Sequence, residues 1–208
     1  MKTLIAIPCM DTVPVGFAQS LIYLVKGDVS VLFKQNSLIY DSRNLIALTA
    51  IENNFDRVMW FDSDMMFPPD TLQTLHKDMD DLGCDMVSGL YVRRQAEPTP
   101  VIYDQLKEPE RDSTGRLVKQ IRPYTEYPHN AVFPVAGCGF GCCLTSVKLL
   151  KHVWDTFGPA FTPYPWAGED LSFCHRVNQL GYQIWCDSNI SCGHIGQFIY
   201  AEERGEDE

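Results

Sequence analysis

Two aspartates one residue apart follow a strongly apolar segment and are the clearest candidates for chemistry in this chain. The segment Arg57 to Phe61 predicts a strand buried on both faces, and Asp62-Ser63-Asp64 comes directly after it. Open α/β sheets bind ligands at the carboxyl ends of their strands, so both carboxylates are expected at a binding edge. Neighbouring carboxylates repel each other unless a cation offsets their charge, and hard oxygen ligands suit Mg²⁺ or Mn²⁺. The alternative is that Asp62 caps a turn and Asp64 is solvated.

A second acidic pair, Glu169-Asp170, stands where the last predicted helix begins. A carboxylate there is stabilised by the positive end of the helix dipole, and the loop before it contains Trp166 and Gly168. Held in this way, an acid is well placed to accept a proton from a hydroxyl group. Acids are also ordinary capping and first-turn residues, and that explanation stays open.

A late histidine and a glycine cluster complete the candidates. His194 follows Gly193 and precedes Ile195-Gly196, which predicts an exposed loop whose imidazole can reach a metal; a hydrogen-bonded loop histidine is the alternative. Gly139-Phe140-Gly141 allows backbone to approach a phosphate or a sugar. No Lys-Ser/Thr follows this cluster, so it is not a P-loop, and close backbone packing explains it equally well.

The apolar patterns predict the elements that must position these residues. Strands and helices alternate over the first 90 residues, which indicates an α/β sandwich with a largely parallel sheet. From 95 to 130 the pattern weakens among five prolines, and we expect a β-ribbon or a long surface loop. The predicted strands are 3–7, 29–33, 57–61, 85–90, 132–136 and 183–186, and the predicted helices are 42–55, 72–82, 145–158 and 171–180.

Charge and composition indicate which partners and which compartment are expected for this chain. The formal charge is −10, and no stretch gathers Lys and Arg into a stripe, so nucleic acid is not an expected partner. Apolar runs are too short to span a membrane. The 8 cysteines form no C-x-x-C pair, and most stand in apolar runs, which predicts free thiols in a reducing compartment, the cytoplasm. We expect one domain over 1–200 and an acidic tail, or the start of a linker to a further domain, over 201–208.

Taken together and in this order, the motifs resemble GT-A-fold glycosyltransferases over residues 1–197. The resemblance implies a Rossmann-like three-layer sandwich with a mixed, mostly parallel central sheet and a small β-ribbon or loop region. It rests on Ile7-Pro8, Ser42-Arg43-Asn44, Phe61-Asp62-Ser63-Asp64, Gly139-Phe140-Gly141, Gly168-Glu169-Asp170 and Gly193-His194.

The resemblance also implies a nucleotide and metal site. Pro8 and Cys9 match the loop along the base and ribose, and Arg43 matches a basic residue facing the base or the diphosphate. Asp62 and Ser63 match the segment that approaches the ribose and metal. The metal ligands would be Asp62, Asp64 and His194.

Acceptor-side roles follow from the same resemblance. Gly139 and Phe140 would line the sugar pocket, and Trp166 would stack on a sugar ring. Glu169 and Asp170 match the pair near the acceptor, with Asp170 as the catalytic base if the enzyme inverts configuration. Inverting and retaining outcomes both stay open.

The implied activity is metal-dependent transfer of a sugar from a nucleoside diphosphate sugar. The expected cofactor is Mn²⁺ or Mg²⁺, the expected donor is a UDP-sugar, and the acceptor is a hydroxyl of a glycan or glycoprotein. Short members from bacteria, phages and large viruses are the most similar, which makes a viral capsid glycoprotein one candidate acceptor. A non-catalytic module that binds nucleotide sugar or glycan, and a sugar-phosphate nucleotidyltransferase, are the alternatives.

Overall fold

The computed structural model describes residues 1–35 and 37–196 and the backbone of a last strand at 199–200. The predicted acidic tail at 201–208 lies outside the described residues. Strands and helices alternate through the first half, as the sequence predicts. These elements are β1 (Thr3–Cys9), α1 (Val15–Tyr23), β2 (Val29–Gln35), α2 (Ile39–Glu52), β3 (Arg57–Phe61), β4 (Met65–Met66), α3 (Thr71–Leu82) and β5 (Met86–Tyr91).

The second half begins with strands and ends with two helices and a long strand. Its elements are β6 (Ile102–Arg111), β7 (Leu117–Pro123), β8 (Val132–Val135), β9 (Gly137–Cys138), β10 (Cys142–Ser146), α4 (Val147–Phe157), α5 (Glu169–Gln179), β11 (Ile184–Ile195) and β12 (Ile199–Tyr200). None of the helices in the described ranges is both long and apolar enough to cross a membrane.

A mixed sheet forms the centre of the molecule. Its order is β12-β11-β5-β10-β3-β1-β2, and the short strands β4 and β8 also pair with β11. Strand β1 runs parallel to β2 and β3, and β11 runs parallel to β5. Strand β10 lies antiparallel between β3 and β5 and so joins the two parallel halves. The predicted α/β fold with a mixed central sheet is confirmed.

Helices and a ribbon cover this sheet. Helix α2 packs on β1, β2 and β3 and contacts α4, which in turn contacts α5; helix α3 packs on β5 and β10. A separate three-stranded antiparallel sheet, β7-β6-β9, contacts α5 and β8. Of the two expectations for 95–130, the β-ribbon is therefore the one observed.

The core beneath the sheet edge is aromatic. Trp60, Phe140, Phe161 and Phe173 are each almost completely buried, and their rings pack edge-to-face or stacked with centroids 4.6 to 5.8 Å apart. The Trp60 indole N–H donates to the Thr145 hydroxyl at 2.9 Å, which satisfies the polar atom within the core. This packing fixes β3 and the start of α5 relative to each other.

Two strands differ from the sequence-based expectation. The chain from Cys142 to Ser146 is strand β10, although the pattern predicts a helix from about 145. Strand β11 continues to Ile195, although the pattern ends it at 186. A bulge between Asp187 and Ser191 interrupts the pairing with β5, and this local break removes the apolar signal of one continuous strand.

Candidate active site

A cavity of about 380 Å³ opens at the carboxyl ends of β1 and β3. This is the edge at which an open α/β sheet is expected to bind a ligand. The cavity gathers most of the residues predicted from sequence. Its walls include Pro8, Cys9, Arg43, Asp62, Ser63, Asp64, Glu169, Asp170 and His194.

The local chain path explains how the two aspartates reach the cavity. Pro8 and Cys9 are the last residues of β1, and Asp62 directly follows the neighbouring parallel strand β3. The Asp62 N–H donates to the Gly141 carbonyl at 3.2 Å, and the Met65 N–H donates to the Asp62 carbonyl at 3.2 Å. The chain therefore turns immediately after β3 and holds both carboxylates at the sheet edge.

Arg43 lines the cavity and pairs with two acids from different elements. Its guanidinium is 2.7 Å from Asp62 Oδ1 and 3.0 Å from Glu169 Oε1, and only 3% of its side chain is exposed. Burial acts to lower the pKa of Arg43, but the carboxylates of Asp62, Glu169 and Asp170 more than offset it and raise the pKa. The guanidinium also lies over the Phe140 ring, 5.1 Å from its centroid. In this structure Arg43 holds the two acids in place.

Asp64 and His194 lie next to each other in the cavity wall. His194 Nε2 is 3.5 Å from Asp64 Oδ2, and His194 Nδ1 is 2.9 Å from the Val92 carbonyl oxygen. A carbonyl only accepts, so Nδ1 carries the hydrogen; Nε2 faces Asp64 and donates a hydrogen bond to it when the ring is protonated. Burial acts to raise the pKa of Asp64, but the hydrogen bond and charge of His194 and the charge of Arg94 bring it below its ordinary value.

His194 lies on a strand, so its predicted loop location is wrong. It belongs to β11, where it pairs with Met65 of β4 and with Tyr200 of β12. The Ile195 N–H donates to the Asp64 carbonyl at 2.7 Å. Backbone pairing therefore fixes the separation of Asp64 and His194, and glycine flexibility is not needed to bring them together.

Arg94 is a site residue that the sequence analysis missed. One of its terminal nitrogens, Nη1, is 2.9 Å from Asp64 Oδ2 and donates to the Ile195 carbonyl at 3.0 Å. The sequence could have indicated Arg94 through its position just after the predicted strand 85–90, whose end lies on the same sheet edge as the aspartates. Met10, Ser37, Ile39 and Ser42 also line the cavity. They stand near the quoted motifs at Pro8 and Arg43, but they have no distinctive chemistry of their own.

Glu169 and Asp170 begin α5, as predicted, and both line the cavity. Asp170 Oδ1 accepts a hydrogen bond from the Leu171 N–H at 2.7 Å. Burial raises the pKa of Asp170 to about 6, with Arg43 acting in the opposite direction and Glu169 and Asp62 adding to the rise. A carboxyl group with this pKa is largely deprotonated at neutral pH and still basic enough to accept a proton.

Gly139, Phe140 and Trp166, which are predicted to contact the sugar, are not among the described residues that line this cavity. A Cβ at Gly139 would overlap the Tyr91 hydroxyl and come within 2.7 Å of Val101 Cγ1, so this glycine serves close backbone packing. Phe140 is buried in the aromatic core because Trp60, Phe161 and Phe173 surround it.

Trp166 is not among the residues that line the cavity, and its stacking on a sugar ring stays a prediction. It packs on Tyr164 with ring centroids 5.4 Å apart and also meets the edge of His175.

The donor atoms partly fit a divalent cation. Within the described part of the chain, no group of three or more His, Cys, Asp or Glu side chains stands in metal-binding geometry. Asp64 Oδ2 and His194 Nε2 nevertheless converge, and the hydrogen bond from Nδ1 to a carbonyl is the arrangement by which proteins orient a metal-ligating imidazole. Asp62 is oriented toward Arg43 instead.

Comparison with solved structures agrees with this architecture. The crystal structure of A197 from STIV aligns over 100% of this chain and 97% of its own, with a TM-score of 0.69 and 17% sequence identity. The crystal structure of GalNAc-T7 with UDP, GalNAc and Mn²⁺ aligns over 94% of this chain and 44% of its own, with a TM-score of 0.62 and 10% identity. At these identities the likeness shows a shared fold.

Sequence comparison identifies the family. No curated protein sequence matches the chain. The family model described as Glycosyl transferase family 2 matches residues 29–154, which is more than half of the 208 residues. The matched range includes β3, Asp62, Asp64 and Arg94 at the cavity. The chain therefore belongs to glycosyl transferase family 2.

Proposed function

We propose that this protein is a metal-dependent glycosyltransferase that moves a sugar from a UDP-sugar to a hydroxyl of a glycan or glycoprotein. The observation that carries the proposal is the cavity itself, where Asp62 and Asp64, His194 and Asp170 meet at one sheet edge. Family membership supports the reaction class. UDP and Mn²⁺ in the GalNAc-T7 structure support the choice of nucleotide and metal.

The donor is proposed to bind along the edges of β1 and α2. Pro8, Cys9 and Ile39 offer an apolar wall for a nucleobase, and Asp62 and Ser63 offer oxygen atoms for ribose hydroxyls. The buried pair with Arg43 holds Asp62 in one orientation, so little conformational freedom is lost when ribose binds.

Asp64 and His194 are the proposed ligands of Mn²⁺ or Mg²⁺. An ion bound there would stabilise the negative charge that develops on the departing diphosphate. The chain contributes the orientation of His194, since β11 fixes its backbone by strand pairing and the Val92 carbonyl fixes its ring. The remaining coordination positions are left to the donor and to water.

Asp170 is the proposed catalytic base. Its position at the start of α5 on the cavity wall and its pKa of about 6 suit proton removal from an acceptor hydroxyl at neutral pH. Attack from the face opposite the leaving group would then invert the configuration at the anomeric carbon. The acceptor is proposed to be a glycan or glycoprotein, with a viral capsid glycoprotein as one candidate.

The eight cysteines support a cytoplasmic location. All are free thiols, and six of them are buried. Such a set is typical of a reducing compartment. We place the whole catalytic site within a single domain over 1–200.

A donor-turnover assay tests the proposal. The protein is incubated with Mn²⁺ and a panel of UDP- and GDP-sugars, with and without glycan acceptors, and released nucleoside diphosphate is measured. We expect UDP release from at least one UDP-sugar, with Asp170→Asn lowering the rate by about 10²-fold or more while UDP still binds. Asp155→Asn, an exposed acid on α4, is the matched control.

The outcomes separate the alternatives. UDP-sugar binding without turnover under any condition, unchanged in Asp170→Asn, would instead identify a binding module. Formation of a UDP-sugar from UTP and a sugar phosphate would identify a nucleotidyltransferase. Absence of nucleotide binding would contradict the donor site altogether.

A further inference from the structure

Of the two arginines that line the cavity, one is buried in ion pairs and the other is partly exposed. Four carboxylates line the cavity, those of Asp62, Asp64, Glu169 and Asp170. Arg43 is buried and committed to Asp62 and Glu169. The other lining arginine, Arg94, has 45% of its side chain exposed and reaches the cavity from the segment after β5.

Arg94 contacts the carboxylate oxygen that a metal would need. Asp64 Oδ2 lies 2.9 Å from Arg94 Nη1 and 3.5 Å from His194 Nε2. A cation bound by Oδ2 and Nε2 would therefore take the place of the guanidinium at this oxygen. Two positive groups on one carboxylate oxygen repel each other, so metal and Arg94 compete for Asp64.

The guanidinium can move without unfolding the chain that carries it. The backbone just before Arg94 is anchored by the β-bridge between Val92 and Pro100 and by the hydrogen bond from the Arg93 N–H to the Thr99 carbonyl at 2.9 Å. The exposed Arg94 side chain is held at its tip, by Asp64 and by the Ile195 carbonyl. Rotation of the side chain alone releases both contacts.

A donor diphosphate would require a positively charged side chain that is free to turn toward it in this acidic cavity. A cavity with four carboxylates repels a phosphate group, and a guanidinium binds two phosphate oxygens with paired hydrogen bonds. Arg43 cannot turn to the donor without leaving two acids unpaired in a partly buried site. Arg94 carries no such cost because Asp64 would gain the metal in exchange.

We infer that Arg94 is an exchangeable cation of the donor site, which holds Asp64 before the donor binds and then binds the donor diphosphate once a divalent cation takes Asp64. The inference rests on the proposed function, because it requires a nucleoside diphosphate and a metal in this cavity. It assigns Arg94 two opposing effects, one on metal affinity and one on nucleotide affinity.

Two binding measurements on Arg94→Met test the inference without any turnover. Mn²⁺ binding in the absence of nucleotide is followed by the electron paramagnetic resonance signal of the free ion. UDP binding is measured by calorimetry at saturating Mn²⁺. We expect the variant to bind Mn²⁺ several-fold more tightly and UDP roughly tenfold more weakly, since a charge-assisted hydrogen bond pair is lost. Arg94→Lys, which keeps the charge but not the fork, is expected to recover part of the UDP affinity.

Arg93→Met is the matched control for removing a neighbouring arginine. Arg93 hydrogen-bonds to the Tyr103 hydroxyl and is not among the described residues lining the cavity, so both affinities should stay within about twofold of the unmodified protein. Circular dichroism checks the fold of each variant.

Unchanged UDP affinity in Arg94→Met, or weaker Mn²⁺ binding, would overturn the inference while leaving the proposed function intact. If the unmodified protein bound neither UDP nor Mn²⁺, the proposed function would fail, and the inference would fail with it.

Discussion

At the scale of single residues, the site depends on how its charges are paired. Arg43 pairs with Asp62 and Glu169, Arg94 pairs with Asp64, and Asp170 is left with a backbone N–H as its hydrogen-bond donor. This distribution gives neighbouring carboxylates different chemistry. The pKa of Asp64 lies below its ordinary value beside His194 and Arg94, whereas burial raises the pKa of Asp170 to about 6.

Arg43 should be essential to stability as well as to the site. Arg43→Met removes the cation between two partly buried acids, and we expect it to lower the free energy of unfolding by about 2–3 kcal/mol. Lys151→Met is the control, since Lys151 forms an exposed ion pair with Asp155 worth at most about 0.5 kcal/mol. Urea denaturation measures both. An Arg43→Met protein as stable as the original would show that the pairing contributes no stability.

Asp170 should set the acid side of the activity profile. Its surroundings are Arg43 from α2, which lowers its pKa, and Glu169, Asp62 and burial, which raise it. Because a base must be deprotonated, kcat/KM should fall about tenfold per pH unit below pH 6 and level off above it. Initial rates between pH 5 and 8 measure this. A flat profile over that range would contradict the assignment of Asp170 as the base.

At the scale of elements, the cavity exists because strands from both halves of the sheet end at one edge. Strands β1 and β3 bring Pro8, Cys9 and the aspartates from one parallel half. Strands β5 and β11 bring Arg94 and His194 from the other half. Antiparallel β10 joins the halves, and the segment before it must pass closely over Tyr91.

Gly139 makes that close passage possible. Gly139→Ala would force its new methyl group against Tyr91 and Val101, and we expect a loss of about 1–3 kcal/mol in stability, as for other overpacked sites. Gly27→Ala serves as the control because no atom lies within 4 Å of the added carbon. Thermal and urea denaturation compare the two variants. Equal stability would show that the backbone can relax and that Gly139 has another role.

The positions of site residues could be predicted where the neighbouring sequence alone determines them. Asp62 and Asp64 directly follow a buried strand, and Glu169 and Asp170 begin a helix with a glycine before it, so their places could be inferred from neighbours in the chain. The strand location of His194 could not, since it depends on pairing with Met65 beyond a bulge. Arg94 was missed because its partner Asp64 is 30 positions earlier in the chain.

At the scale of the whole molecule, the candidate site draws on both halves of the sheet and on helices α2 and α5. The alignment with A197 covers 100% of this chain, so the shared fold extends to both halves of the sheet. The range 29–154 that matches the family 2 model contains β3 and β5 and the cavity residues that follow them. Asp170 on α5 and His194 on β11 lie beyond this range. The site therefore requires the chain on both sides of the matched range.

Calorimetric titration of the protein with UDP is the measurement that tests the central claim most directly. The titration is carried out with Mn²⁺, with EDTA, and with Asp64→Asn in the presence of Mn²⁺; Asp155→Asn is the control. We expect micromolar UDP affinity with Mn²⁺, a loss of about tenfold or more with EDTA and in Asp64→Asn, and no change in the control. UDP binding of equal strength under all of these conditions would contradict the metal site, and no binding under any of them would contradict the account of this cavity as a donor site.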